Sequence, residues 1–176
     1  MKNSIALIGF MGTGKTVVGK ALAEKLGKEF IELDSVIEPM AGKTIPEIFQ
    51  EDGEIAFREL EIEAVKKAAN KKNTVIACGG GVVLNKINID RLKKEAVIVY
   101  LTASPRVILK RISNDVEKRP LLNVANPALT IQQLLTFRKP FYEQSADITI
   151  NTSKLDINSI VKQIIEEVKQ DESFNL

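Results

Sequence analysis

The eight residues GFMGTGKT, Gly9 to Thr16, stand between an apolar run and an amphipathic stretch, and that order constrains the fold more than any other feature of the chain. Before them SIALIG, Ser4 to Gly9, reads as a short buried strand that ends on a turn signal. After them, from Lys15 onward, Val18, Ala21, Leu22 and Leu26 recur at helical spacing and Gly27 supplies a stop. Strand, glycine loop and helix in that order bring backbone N–H groups and the positive end of a helix dipole to bear on one anion. The pattern G-x-x-x-x-G-K-[ST] then directs Lys15 at β- and γ-phosphates and the Thr16 hydroxyl at Mg²⁺. The alternative is a permissive turn that carries a solvated lysine.

Four more apolar runs follow, EFIEL (29–33), TVIAC (74–78), AVIVYL (96–101) and DITIN (147–151), separated by helical patterns. Strands alternating with helices imply a parallel sheet covered on both faces, here of five strands. After strand two the first helix is expected to open at Thr44-Ile-Pro-Glu47, which has capping-box spacing; Gly53 then bends it before Phe57, Leu60, Ala64, Val65 and Ala68 resume. An amphipathic helix over Leu155 to Val168 closes a single domain of residues 1–170, with 171–176 expected to fray. Ser113 to Pro127 is too long and polar for a tight turn, which predicts a lid over about residues 112–126.

With 44% hydrophobic residues, 176 residues make one sizeable core. A net charge of +2 and no basic cluster interleaved with aromatics speak against nucleic-acid and membrane partners. Nothing like a leader precedes Ser4, and no apolar run approaches the roughly 18 residues of a membrane span, so a cytoplasmic monomer working on small molecules is expected. Cys78 is alone in apolar VIACGG and is expected to be a buried thiol. The chain has no histidine, so acid–base work falls to carboxylates, lysines or tyrosines.

Glu32 and Asp34 in FIELDS are costly inside a doubly covered sheet, and strand alternation would aim both beyond the carboxyl end of strand two. Ligands of open α/β sheets bind beyond that end. Gly79, Gly80 and Gly81 follow strand three at the same edge, where they let a ligand approach backbone donors. Strand three ends in Cys78 rather than in an aspartate suited to a metal's water shell, which leaves Glu32 as the nearest acidic candidate. Only six of the 25 basic residues are arginine. Arg58, Arg119 in the lid and Arg138 in FRKPFY, placed near the end of its helix, could use the guanidinium fork on carboxylate or phosphate. Arg111, ahead of the lid, could stack on a nucleotide base. Arg91 and Arg106 are expected to be solvated.

GFMGTGKTVVGKALA, LDSVIE with AGKTIPEIF, EDGEIAFRELE, the glycine triplet, RPLL and FRKPFY together resemble the shikimate kinase family over essentially the whole chain. The resemblance implies a three-layer P-loop kinase fold of the nucleoside-monophosphate-kinase-like branch, with a five-stranded parallel sheet in the order 2-3-1-4-5. It implies ATP-dependent phosphorylation of the 3-hydroxyl of shikimate in aromatic amino acid biosynthesis, with Mg²⁺. It further implies that the diphosphate lies over Gly12, Thr13, Gly14, Lys15, Thr16 and Val17. Shikimate would be bound by Asp34, Arg58, Gly80 and Arg138 within a region of about 34–62 and the glycine triplet. Arg119 would close onto the phosphates, making Lys15, Asp34 and Arg119 the catalytic set, and the metal would be held at Thr16 and Glu32. Many members carry aspartate where this chain has Glu32, one methylene longer. Another small-metabolite kinase, such as one for gluconate or a nucleoside monophosphate, is the rival enzyme. A non-catalytic nucleotide sensor is the rival of another class, and it would not need both substrate arginines and the lid arginine.

Overall fold

The computed structural model describes residues 1–113 and 119–175. Its strands are β1 (Ser4–Ile8), β2 (Glu29–Glu32), β3 (Thr74–Ala77), β4 (Ala96–Thr102) and β5 (Ile148–Asn151), all parallel in the order β2-β3-β1-β4-β5. The helices are α1 (Lys15–Leu26), α2 (Leu33–Ala41), α3 (Ile45–Glu51), α4 (Gly53–Ala69), α5 (Lys86–Glu95), α6 (Pro105–Ile112), α7 (Pro127–Ser145) and α8 (Ile157–Gln170).

Because side chains alternate across a strand, the central strands feed two cores at once. Ile5 and Leu7 of β1, Val75 of β3, and Val97, Val99 and Leu101 of β4 pack with Val18 and Leu22 of α1 and Ile160, Ile164 and Val168 of α8. Ala6, Ile8, Ile76, Ile98 and Tyr100 point the other way, against Ile37 of α2, Ala64 and Val65 of α4, Leu92 of α5 and Tyr142 of α7. The five apolar runs and the expected strand order are thus both present, four of the strands one residue shorter than the run that announced them and β4 one residue longer.

Three local expectations are corrected. Strand two stops at Glu32, whose register partner Ala77 is the last of β3, and Leu33 begins a helix instead, so Asp34 lies in the first turn of α2 and not in a strand. Burial of Leu33 and Ile37 stabilises α2, with Val36 and Met40 packed beside them. Pro39 inside α2 and Gly42 at its end hide it from a periodicity reading. The helix expected as the first after strand two is therefore α3. Its cap forms as anticipated: Thr44 Oγ1 accepts from the Glu47 amide at 3.4 Å and Glu47 Oε2 accepts from the Thr44 amide at 2.7 Å.

Nor do residues 171–175 fray. The Lys2 amide donates to the Ser173 carbonyl and the Asn175 amide to the Lys2 carbonyl, both at 2.7 Å, while Phe174 packs on the α1/α8 core with the Lys28 ammonium 5.5 Å from its ring centre. Lys2, just ahead of β1, has backbone groups that the sheet leaves free, and the tail takes them up. Of the expected lid, residues 114–118 lie outside the described residues; Pro120–Leu122 is one turn of 3₁₀-helix. Among the described residues no helix is long and apolar enough to cross a membrane.

Candidate active site

The loop after β1 turns into α1 through Gly14, which takes φ 94° at the N-cap, a left-handed conformation natural to glycine. Gly12, Gly14, Lys15, Thr16 and Val17 face one cavity of about 670 Å³. Lys15 Nζ donates to the Gly9 and Phe10 carbonyls at 2.8 and 2.9 Å, so the ammonium is held against its own loop. Thr16 Oγ1 donates to Glu32 Oε1 at 2.5 Å, which brings the two expected metal residues together.

The same cavity is lined by Asp34, Arg58, Gly79, Gly80, Gly81, Arg119 and Arg138. Polar groups crowd the triplet from several sides. A Cβ on Gly81 would lie only 2.4 Å from Arg58 Nη1 and Nη2, and one on Gly79 3.0 Å from Glu61 Oε2; Asp34 Oδ1, 3.7 Å from the Gly79 position, and Arg138 Nη1, 3.5 Å from the Gly80 position, stand at ordinary contact distance. The triplet is thus a floor on which two carboxylates and two guanidinium groups converge. Arg58 is oriented by Glu54 at 3.1 Å and Glu61 at 3.0 Å on its own helix. Arg138 is 2% exposed, lies inside α7 rather than near its end, and has its guanidinium 5.8 Å from the Phe10 ring centre. Nε of Arg119 and Nε of Arg138 are buried with no partner among the described residues, donor capacity that an anionic ligand can take up.

Thr13 and Arg111 do not line the cavity. Thr13 is buried and its hydroxyl donates to the Phe10 carbonyl at 2.8 Å, bracing the loop from within. Arg111 donates to the Gly12 carbonyl at 3.1 Å and to the Thr152 carbonyl at 2.9 Å, so its fork ties the loop to the segment after β5. Arg91, expected to be solvated, instead donates to the Ile62 carbonyl at 2.9 Å.

Glu61 was missed by the motif reading. It is 1% exposed, and its second oxygen, Oε2, has no partner among the described residues and faces Gly79. Its signal was in the sequence: Phe57, Glu61, Ala64, Val65 and Ala68 form one buried stripe of α4, and a carboxylate in such a stripe requires a partner. Phe49, Phe57 and Ile45 add an apolar wall that no motif suggested.

Burial dominates the electrostatics. It lowers the Lys15 pKa to about 8, with the Arg119 charge acting in the same direction and Asp34 opposing it. Burial raises Asp34; Lys15 and Arg119 pull it back down, while Glu32 and Glu38 push it further up. Glu61 is raised by burial against the pull of Arg58. Burial also pushes the Cys78 thiol up to about 12, so the buried, inert cysteine expected from its neighbours is what the fold contains.

A phosphate-binding loop beyond the carboxyl edge of a 2-3-1-4-5 sheet, opening on a polar cavity with paired arginines and a carboxylate, defines a small-metabolite kinase of the P-loop class. Residues 11–169 match the family model described as shikimate kinase. A shikimate kinase of Caldanaerobacter subterraneus subsp. tengcongensis is 51% identical over 94% of this chain and 95% of its own, and one of Thermodesulfovibrio yellowstonii is 49% identical over 97% and 96%. The structure of shikimate kinase from Acinetobacter baumannii in complex with shikimate superposes with a TM-score of 0.93 at 36% identity, over 98% of this chain and 96% of that one. The chain belongs to the shikimate kinase family, ATP-binding transferases that phosphorylate shikimate to shikimate 3-phosphate in aromatic amino acid biosynthesis.

Proposed function

We propose that the 3-hydroxyl of shikimate is phosphorylated in this cavity with Arg58 and Arg138 on the substrate carboxylate, Gly79, Gly80 and Gly81 beneath the ring, and Asp34 on the accepting hydroxyl. The supporting observation is the convergence of Asp34, Arg58 and Arg138 on the glycine triplet in one cavity, where a Gly81 side chain would begin only 2.4 Å from the Arg58 fork. Shikimate presents one carboxylate and three hydroxyls, and two planar forks with one carboxylate answer that pattern. The diphosphate lies over residues 12–17. Thr13 supports that loop from inside, and Arg111 holds it from behind through Gly12.

In the transfer, the shikimate oxygen bonds to the γ-phosphorus, the bond from that phosphorus to the β,γ-bridging oxygen breaks, and the hydroxyl proton leaves toward Asp34. Burial raises the basicity of Asp34, while Lys15 and Arg119 favour its ionised form, so it orients the hydroxyl and can accept the proton. Lys15 and Arg119 stabilise charge on the phosphoryl oxygens, Arg119 reaching them from the lid side. No group of three or more metal-ligating side chains occurs among the described residues. That sparse donor set suits Mg²⁺, which keeps several waters and takes ligands from the phosphates. Thr16 and Glu32, already within hydrogen-bond reach of each other, would hold it, and it would supply charge neutralisation at the β- and γ-oxygens. The protein acts as a cytoplasmic monomer and a single domain, whose core the tail through residue 175 joins.

ADP release with ATP and Mg²⁺ across shikimate, quinate, gluconate and nucleoside monophosphates tests the reading. Turnover is expected with shikimate alone; release with gluconate and none with shikimate would refute it.

A further inference from the structure

Tyr142 closes the FRKPFY motif with no contact to phosphate or substrate assigned to it, yet it joins the two halves of the shikimate site. It is fully buried on α7, one helical turn after Arg138. Its hydroxyl donates to the Gly80 carbonyl at 2.5 Å, across 62 residues of sequence. Its ring stacks on Tyr100 of β4 at 4.9 Å between centres and 19° between planes, so the side chain is held from the strand side as well. The Arg138 Nη1 atom lies 3.5 Å from where a Gly80 side chain would begin, which completes a triangle of Gly80, Arg138 and Tyr142. The phenol keeps its proton, because burial pushes it up to about 12. It is therefore a donor at any working pH.

We infer that Tyr142 is a positioning residue for shikimate: its hydroxyl fixes the Gly80 carbonyl and thereby sets the distance between the glycine floor and Arg138. The inference rests on the reading of Gly80 and Arg138 as substrate contacts. The Val82 amide closes the turn on the Gly79 carbonyl at 3.1 Å, but the Gly80 carbonyl takes no part in that bond, and glycine on both sides leaves its peptide plane free to tilt. Among the described residues Tyr142 is the side chain that bonds it. Gly80 also borders the phosphate loop, its side-chain position lying 3.5 Å from the Met11 amide nitrogen and 3.7 Å from the Gly9 carbonyl oxygen, so the role predicts a shikimate KM that moves further than the KM for ATP.

The test compares Tyr142→Phe, which keeps the ring and its stack, with Tyr100→Phe, which removes a hydroxyl from the same stack but leaves the Gly80 bond. Tyr142→Phe is expected to raise KM for shikimate by about five- to tenfold, the effect of one hydrogen bond, with KM for ATP and kcat within about twofold of the parent. Tyr100→Phe is expected to leave both KM values unchanged. An unchanged shikimate KM in Tyr142→Phe, or equal shifts in the two variants, would overturn the inference. Arg138→Lys, run alongside, separates it from the reading on which it rests. A raised shikimate KM in Arg138→Lys but not in Tyr142→Phe sinks the positioning role alone, whereas no change in Arg138→Lys sinks the site assignment. Should Tyr142→Phe melt more than about 10 °C below the parent, the unaltered chain is followed by amide hydrogen exchange instead. Shikimate alone is then expected to protect residues 79–81 and 138–142 together, and protection of one segment without the other overturns the coupling.

Discussion

Gly81→Ala moves one cavity residue by adding one methyl group. The new carbon would stand 2.4 Å from both terminal nitrogens of Arg58 and 2.6 Å from the carbon between them, whereas ordinary contact begins at 3.4 Å. The guanidinium must therefore retreat by about 1 Å, which is possible because it is the far end of a flexible side chain. Gly81 has φ −98°, where alanine is unstrained, so the backbone has no reason to rearrange. Retreat takes the fork off the line between Glu61 and the cavity and costs the substrate one charge-assisted hydrogen bond, about 1.5–3 kcal/mol. At about 1.4 kcal/mol per tenfold, shikimate affinity falls roughly ten- to hundredfold. Initial rates with either substrate varied, together with calorimetric titration of shikimate, read this directly. KM for ATP should stay within about twofold of the parent, and the melting temperature within about 5 °C. A folded Gly81→Ala enzyme with parental shikimate affinity would refute the placement of Arg58 on the substrate.

Gly9→Ala should behave in the opposite way. At φ 147°, with the Leu101 carbonyl oxygen 2.4 Å from the added carbon, the clash is with backbone, and thermal denaturation should show loss of several kcal/mol, of order 3 or more. Asp34→Asn should fold and bind ATP, with steady-state turnover lower by about 10²-fold or more, the range for a lost general base. Glu32→Gln should cost less and weaken chiefly the Mg²⁺ dependence; full activity in Asp34→Asn with loss in Glu32→Gln would exchange their roles. Lys15, held near 8 in the free enzyme, should recover its proton against the ATP phosphates, so ATP titrations above pH 8 in buffers of different ionisation enthalpy should show proton uptake, and KM for ATP should rise with pH. The linked stability effect has a definite sign. Between about pH 8 and 10.5 the unfolded chain holds the Lys15 proton and the folded chain does not, so this residue's contribution to stability improves as pH rises through that window.

Sequence alone carried what is encoded within one or two turns of chain. The glycine loop, its flanking strand and helix, the five apolar runs and the Thr44 cap depend on spacing between near neighbours, and each formed where the periodicity placed it. Asp34 lay beyond that reach. Whether residue 33 continues a strand or starts a helix was decided by where β3 ends and by the packing of Leu33 and Ile37, both properties of distant partners. The same holds for the glycine triplet. Three glycines in a row suggest that a side chain would be in the way, but only the approach of α2, α4 and α7 to one sheet edge shows that the obstacles are Arg58 and Glu61, with Asp34 and Arg138 in contact beside them. Glu61 could have been read from its stripe, because burial of a helix face is periodic; the Tyr142–Gly80 bond and the tail on Lys2 could not, because no local rule reports which buried carbonyl a side chain 62 residues away will reach.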